Sequence, residues 1–504
     1  MSTPWRSTRR STNPTGYSHH GRCKFGFNCK NFRKGKCTYF HPAEDQTKYA
    51  HSVERYKGLM DKGRKRWSLI VDGLSEGETL EEATPLSGHV GITGERVLGS
   101  FNKLGDNRIA VPGCPPQFSP PTAALQLKPD GDSSVPAVYP VYTYRLEPLI
   151  RSVQCMSPDV DVLDGTCDVV ASAGSVYRLY DHLVRTTGMT KRVDVEVRSV
   201  PTIPDISRGG GGPPPTGVGR RVVLLQPWKD DPNHDISYGY GSNFAAATCH
   251  YPDDLPASLR GSFSHHRVLY YELGGLRIAL HCEADGKYDQ VEKAKSKSTT
   301  PWRDRGHLPS PPVSPKMAMS TPSSPPKTKG SRFSVLMEGV EDEDEEMSDV
   351  SSSTLSVEWP CGPSTPTSAS HVVEIKTYDA AKPQIMADLG PKALARYVCC
   401  RPESQLYFGR TPQLYEAGHS NGTFEVNVGV QSVEDRLQQW EAENQQHLQR
   451  LVSFLRQIIQ TASTHAAEGR TQLSLVLPGV QDPSCEDKRA RLYVRHDGVS
   501  FLPA

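Results

Sequence analysis

Leu273-Gly-Gly-Leu-Arg-Ile-Ala-Leu-His-Cys-Glu-Ala-Asp285 reads as a turn followed by a strand that ends on acid. Gly274 and Gly275 supply the turn. Leu276, Ile278 and Leu280 alternate with Arg277, Ala279 and His281, the period of a strand with unlike faces. Glu283 and Asp285 are two apart, so both carboxylates leave the same face. About ninety residues later, His371-Val-Val-Glu-Ile-Lys-Thr377 is a second strand, with Glu374 and Lys376 on one face and Val373 and Ile375 on the other. Two carboxylates roughly 4 Å apart repel by about 4 kcal/mol at an effective dielectric of about 20. If the three carboxylates converge, positive charge must join them: a divalent cation, the lysine, or both. Mg²⁺ suits an all-oxygen site that faces phosphate, and a lysine beside it can take a proton from metal-bound water. The bland alternative is two solvated strand faces, because Glu-x-Asp and Glu-x-Lys are common in strands.

A chain of 504 residues can hold two or three domains and a core large enough for an enzyme. With 58 basic and 57 acidic residues the total charge says nothing about partners, so the distribution must. No run of 18 apolar residues occurs and the N-terminus is polar and basic, so neither a membrane span nor a secretory signal is expected. Three of the 12 cysteines crowd before residue 38 and the rest follow no framework spacing. That pattern points to a reducing compartment, a metal site at the front and ordinary thiols elsewhere. An intracellular protein is expected. Lys62-Gly-Arg-Lys-Arg66 reads as a nuclear address or, equally, as a solvated helix end.

Residues 1–20 form a disordered basic tail. Within 21–43, Cys23, Cys29, Cys37 and His41 stand in C-x5-C-x7-C-x3-H order. So short and basic a piece cannot pack its own core, but zinc contributes on the order of 10–16 kcal/mol to such peptides. Arg22, Lys24, Lys30 and Arg33 alternate with Phe25, Phe32 and Tyr39, and no acid appears before Glu44. Cations hold phosphates, and exposed rings stack bases at about 1–3 kcal/mol each. The alternatives are rings that only cover the zinc and a finger that binds protein. The segment resembles a CCCH-type zinc finger, ending in that family's Cys-x3-His-Pro at Pro42. Its middle spacing of seven is longer than the family's usual four to six. The resemblance implies binding of single-stranded RNA.

Residues 44–90 read as a helical, charged linker, and 91–286 with 371–504 as one α+β domain built on a mixed sheet. Between these parts, 287–370 are Pro, Ser, Thr and Lys followed by Glu341-Asp-Glu-Asp-Glu-Glu346, a composition that cannot bury enough apolar surface to fold. It separates the two acidic strands, so it is an insertion within one domain, with protein partners as its other use. Near the end, Ser432 is placed to cap a long helix striped by Leu437, Leu448, Leu451, Leu455 and Ile458.

From about residue 91 onward the order of motifs resembles the decapping-nuclease-like group of the PD-(D/E)XK superfamily. Those are mixed α/β domains that cut RNA ends or remove faulty caps with Mg²⁺ or Mn²⁺. Glu283-Ala-Asp285 matches the family's metal ligands, and Glu374-Ile-Lys376 its further ligand and catalytic lysine. Gln405-Leu-Tyr-Phe-Gly409 matches the glutamine-bearing strand that follows. Two positions depart from the family. Gly241-Ser-Asn-Phe244 is followed by Ala245, where the family has a metal-binding glutamate. The stretch Val170 to Val176 lacks the family's phosphate-clamping arginine. The expected function is thus a zinc-binding, RNA-binding protein with a degenerate nuclease-like domain. The alternative is an Mg²⁺- or Mn²⁺-dependent RNA nuclease or decapping hydrolase, in which Glu283, Asp285 and Glu374 hold metal, Lys376 activates water and Gln405 orients it.

Overall fold

A computed structural model describes residues 67–105, 107–130, 142, 144–184, 190–200, 220–228, 239–289, 355–359, 371–380, 402–426, 429–479 and 487–503. Among these residues two mixed sheets are present. The first has eleven strands, here numbered in chain order. From one edge it runs β1 (Leu74–Thr79), β19 (Arg491–Arg495), β18 (Gln472–Leu477), β7 (Lys191–Ser199), β8 (Arg221–Pro227) and β6 (Val169–Ser172). It continues through β11 (Leu276–Ala284), β10 (Ser264–Leu273), β2 (Ile92–Gly105), β3 (Arg108–Ala110) and β13 (Ser356–Glu358). The second runs β5 (Leu125–Gln126), β16 (Thr423–Phe424), β15 (Gln413–Ser420), β14 (Val372–Asp379), β12 (Gly286–Lys287), β4 (Gln117–Phe118) and β9 (Cys249–His250), with β17 (Gln431–Ser432) paired to β15. The expected mixed α/β class is the observed one.

The β10–β11 hairpin contains the turn and strand read from Leu273 to Asp285. Gly274 and Gly275 take positive φ of 56° and 80°, and Leu273 pairs with Leu276. A Cβ on Gly274 would lie 2.9 Å from a methyl of Val452, so the turn also needs glycine for close packing. β11, β6 and β8 run parallel, and Val169–Ala171 and Val222–Leu225 are buried throughout. Such strands are apolar on both faces because helices cover both. On one face lie α1 (Glu147–Met156), with Leu149 and Val153 buried against Leu98 and Val268. On the other lie α2 (Ala173–Leu183) and the later α7 (Gln445–Ala467). The buried stripe of α7 is Leu448, Leu451, Val452, Leu455 and Ile458, the i, i+3, i+4, i+7 period of an amphipathic helix. Each such side chain contributes about 2 kcal/mol of transfer free energy. Against the second sheet, α3 (Gly241–Thr248) buries Phe244 among Phe118, Tyr415 and Phe424. The short α4 (Ala257–Arg260) buries Leu259 with Leu104 and Ala110.

Several expectations need correction. The folded body starts before residue 91: β1 pairs with β19, and Leu80 and Val90 are buried. The insertion is not wholly outside the fold. Ser356–Glu358 adds a parallel strand beside β3, anchored by buried Leu355, and Lys287 pairs within the second sheet. Gln405 lies on α5 (Glu403–Phe408), not on a strand. Leu406, Tyr407 and Phe408 enter the core from that helix, and β15 begins eight residues after Gln405, at Gln413. Ser432 sits in β17 and caps nothing; the helix begins after Val433 as α6 (Glu434–Glu443) and breaks at Asn444 before α7. No helix among the described residues is long and apolar enough to cross a membrane.

Candidate functional site

The two acidic strands meet where the chain passes from one sheet to the other. Ala284 ends β11 in the first sheet and Gly286 opens β12 in the second, with Asp285 between them. Gly286 pairs antiparallel with Val373, which lays β14 alongside and brings Glu374 next to Asp285. Ile375 N–H donates to Asp285 Oδ2 at 2.7 Å, a bond that pins one acidic tip to the other strand. Lys376 Nζ lies 2.5 Å from Glu374 Oε1. Glu374 and Lys376 thus lie beside Asp285, and Glu283, two residues before it on β11, is within electrostatic reach of both.

Their charges act on one another. Burial pushes the Asp285 carboxyl well above the usual carboxylate range, and Glu374 and Glu283 push it further, against Lys376 and the Ile375 N–H. The Glu283 carboxyl is also raised, first by burial, with Lys103 opposing and Glu374 adding to it. The Glu283 side chain is nevertheless exposed to water. Glu283 is thus reached by solvent while protein lies close around it. Burial works against the Lys376 ammonium, but Glu374, Asp285 and Glu283 together outweigh it and hold the pKa above the ordinary lysine value. Lys376 is therefore charged at neutral pH and serves as the counter-ion of the cluster.

The donors fit a hard divalent cation in kind: three carboxylates, two with raised proton affinity that added positive charge would relieve. Among the described residues, however, no three His, Cys, Asp or Glu side chains converge on a single ligating point. Lys376 supplies the compensating charge in this arrangement.

α3 opens at Gly241, and that glycine faces Thr377 of β14; a Cβ there would meet Thr377 Oγ1 at 3.4 Å. Ala245, one turn further, adds no carboxylate. β6 and the start of α2 span Val170 to Val176 beside His281 and carry no arginine. Gln405 contributes a backbone carbonyl, which accepts from the Tyr177 hydroxyl at 3.1 Å. Tyr177 itself is held neutral by burial, next to Cys282 and Glu374. Neither Tyr177 nor Lys103 carried a signal in the sequence, since each is one of several polar residues in its element. Arg267, fully buried behind the hairpin, donates to the Gly409 carbonyl and Thr411 Oγ1. It thereby closes the C-terminal end of α5, where a cation is favoured by the helix dipole. A separate surface hollow, lined by His182, Arg450, Phe454 and Lys488 among others, contains none of the cleft residues. The predicted zinc ligands Cys23, Cys29, Cys37 and His41, and the RNA-facing Arg22, Lys24, Phe25, Lys30, Phe32, Arg33 and Tyr39, lie outside the described residues.

The profile of a domain of unknown function, DUF8563, matches residues 351–474. No curated protein sequence matches the chain. Among solved structures, Candida albicans Rai1 in complex with pU5 and Mn²⁺ is similar at 10% identity and a TM-score of 0.47, over 83% of this chain and 93% of that one. K. lactis Dxo1 in complex with manganese is similar at 9% identity and a TM-score of 0.45, over 85% and 95%. S. pombe Rai1 in complex with 3′-FADP is similar at 9% identity and a TM-score of 0.43, over 83% and 99%.

Proposed function

We propose that the protein acts on RNA, with a divergent divalent-cation-dependent phosphodiester or cap hydrolase centre in its folded domain and a zinc-held grip for single-stranded RNA at residues 21–43. The observation that supports this reading is the bond from β14 to Asp285 beside the Glu374–Lys376 pair at the junction of the two sheets, with Glu283 within their electrostatic reach. Glu283, Asp285 and Glu374 would hold Mg²⁺ or Mn²⁺, which when bound supplies Lewis-acid polarisation of a phosphoryl oxygen and a more acidic water. Asp285 is held in orientation by the Ile375 N–H. Glu283 faces solvent, where a substrate can reach it. Lys376 keeps its proton while the carboxylates are uncompensated, and so presents positive charge to an incoming phosphate. It can serve as a base only after that negative charge is offset.

The test is incubation of the purified full chain with 5′-labelled single-stranded RNA and Mn²⁺. Cleavage or cap release by the wild type, lost in Lys376→Ala, supports the reading; cleavage that persists in that variant points to a contaminant. A second reading, RNA binding without turnover, is favoured by Ala245 and by the absence of arginine from Val170 to Val176. It predicts a gel shift with the same RNA and no product.

A further inference from the structure

The sheet face that carries Glu283 also carries a second lysine. His266 of β10 lies opposite Glu283 of β11 and opposite Phe101 of β2, while Ser264 lies opposite Lys103. Directly opposed residues share a face, and so do residues two apart in a strand. Lys103, Ser264, His266 and Glu283 therefore line one face, with His281 next in the same column. Among the described residues the Lys103 ammonium makes no hydrogen bond or ion pair; it lies 5.7 Å from the ring centroid of Tyr142. Glu283 is within its electrostatic reach but not bonded to it. His266 bonds Ser264 Oγ through Nε2 at 3.0 Å and has no partner at Nδ1, while His281 has none at either ring nitrogen.

An unpaired, partly buried ammonium is costly unless an anion joins it. Glu283 does not fill that role, because Lys376 and the other carboxylates share its charge from the opposite side. We infer that Lys103 is a phosphate-binding residue of this cleft, contacting a backbone or terminal phosphate of the RNA strand on the far side of Glu283 from Lys376. The two lysines then bracket the carboxylates, one on β2 and one on β14, and a strand laid across Glu283 meets positive charge on both sides. Burial lowers the Lys103 pKa, and Arg145 adds to that while Glu283 opposes it, as expected of an ammonium still awaiting its counter-ion. This inference rests on the proposed function, since it assumes that RNA enters the cleft.

The test is RNA affinity of the full chain as a function of salt, for wild type, Lys103→Met and Lys103→Arg, without added divalent metal. Each phosphate contact to a single strand contributes about 0.7 to the slope of log affinity against log salt. Lys103→Met should reduce the slope by about 0.7, and Lys103→Arg should restore it, with neither variant melting below the wild type. Strands with a 5′-phosphate and a 5′-hydroxyl separate the source: a loss confined to the former assigns the terminal phosphate, and a loss from both an internal one. Equal slopes for wild type and Lys103→Met overturn the inference. If the wild type cleaves RNA once Mn²⁺ is added, the hydrolase reading then stands without this inference; if it does not, both fall.

Discussion

Replacing Lys376 with Met removes the counter-charge of three carboxylates and leaves the shape of the side chain nearly intact. The Lys376 and Glu374 side chains are 35% and 16% exposed, so the pair is neither fully screened nor fully desolvated. Breaking a buried pair costs about 3–5 kcal/mol, and breaking an exposed one about 0–1 kcal/mol. An intermediate loss of about 2 kcal/mol is expected at pH 8. The pH dependence carries the sign. Glu283 and Asp285 have folded pKa values raised above their unfolded ones. The native state thus takes up protons before the unfolded chain does, and acidification relieves the repulsion. The lysine does not contribute to this trend, because its own raised pKa keeps it charged until well above pH 8. Urea denaturation of wild type and Lys376→Met at pH 8 and pH 5.5 measures the difference. The loss should shrink to below about 1 kcal/mol at pH 5.5, and Mn²⁺ should stabilise the variant more than the wild type at pH 8. A variant as stable as wild type at pH 8, or one that loses more at pH 5.5, would refute the electrostatic account of the cleft.

Three further outcomes are expected. Burial pushes the His265 and His281 pKa down to about 3, with Arg267 and Lys103 respectively adding to it, so these rings stay neutral in the fold while the unfolded chain protonates below about 6.5. Each then costs about 2 kcal/mol of stability at pH 5 relative to pH 7.5; His281→Gln should lose about that much less than wild type over this range, and identical pH profiles would disprove it. Leu355→Ala should destabilise by about 2–4 kcal/mol in urea, because Leu355 anchors β13 in the core; an unchanged midpoint would mean that β13 does not hold its place in solution. Cys37→Ser, or removal of zinc by a chelator, should weaken binding to single-stranded RNA at least tenfold in a gel shift; undiminished binding would remove the finger from the RNA-binding surface.

The strands that form the cleft were legible because both alternate cleanly and both carry acid at a spacing of two. What the sequence could not show is that β11 changes sheets at Asp285, which is what brings the pair together. Gln405 misled because Gln405-Leu-Tyr-Phe408 is a short, aromatic-rich run, and periodicity over so few residues does not separate strand from helix. The end of the insertion was invisible for a related reason. Leu355-Ser-Val-Glu-Trp359 is five residues long, and its strand exists only by pairing with β3, nearly 250 residues away. The charged face of β7 was also unreadable. Arg192, Asp194 and Glu196 alternate with valines as a solvated edge would, yet all three are buried. Arg192 bonds Asp194 and the Ile70 carbonyl, Asp194 takes Ser474 Oγ, and Glu196 takes Ser500 Oγ and the Phe501 N–H, so the C-terminal segment covers Glu196 and other segments the rest. Nothing local in those residues announces a lid that arrives from the end of the chain.

Mn²⁺ binding followed by electron paramagnetic resonance, on full-length wild type and on Glu283→Gln with Glu374→Gln, probes the cleft without requiring turnover. The ion bound by the wild type at the junction of the two sheets should bind at least tenfold more weakly in the double variant, with zinc content unchanged. Equal Mn²⁺ affinity in the two proteins would mean that these carboxylates do not form a metal centre, and the hydrolase reading would lose its basis.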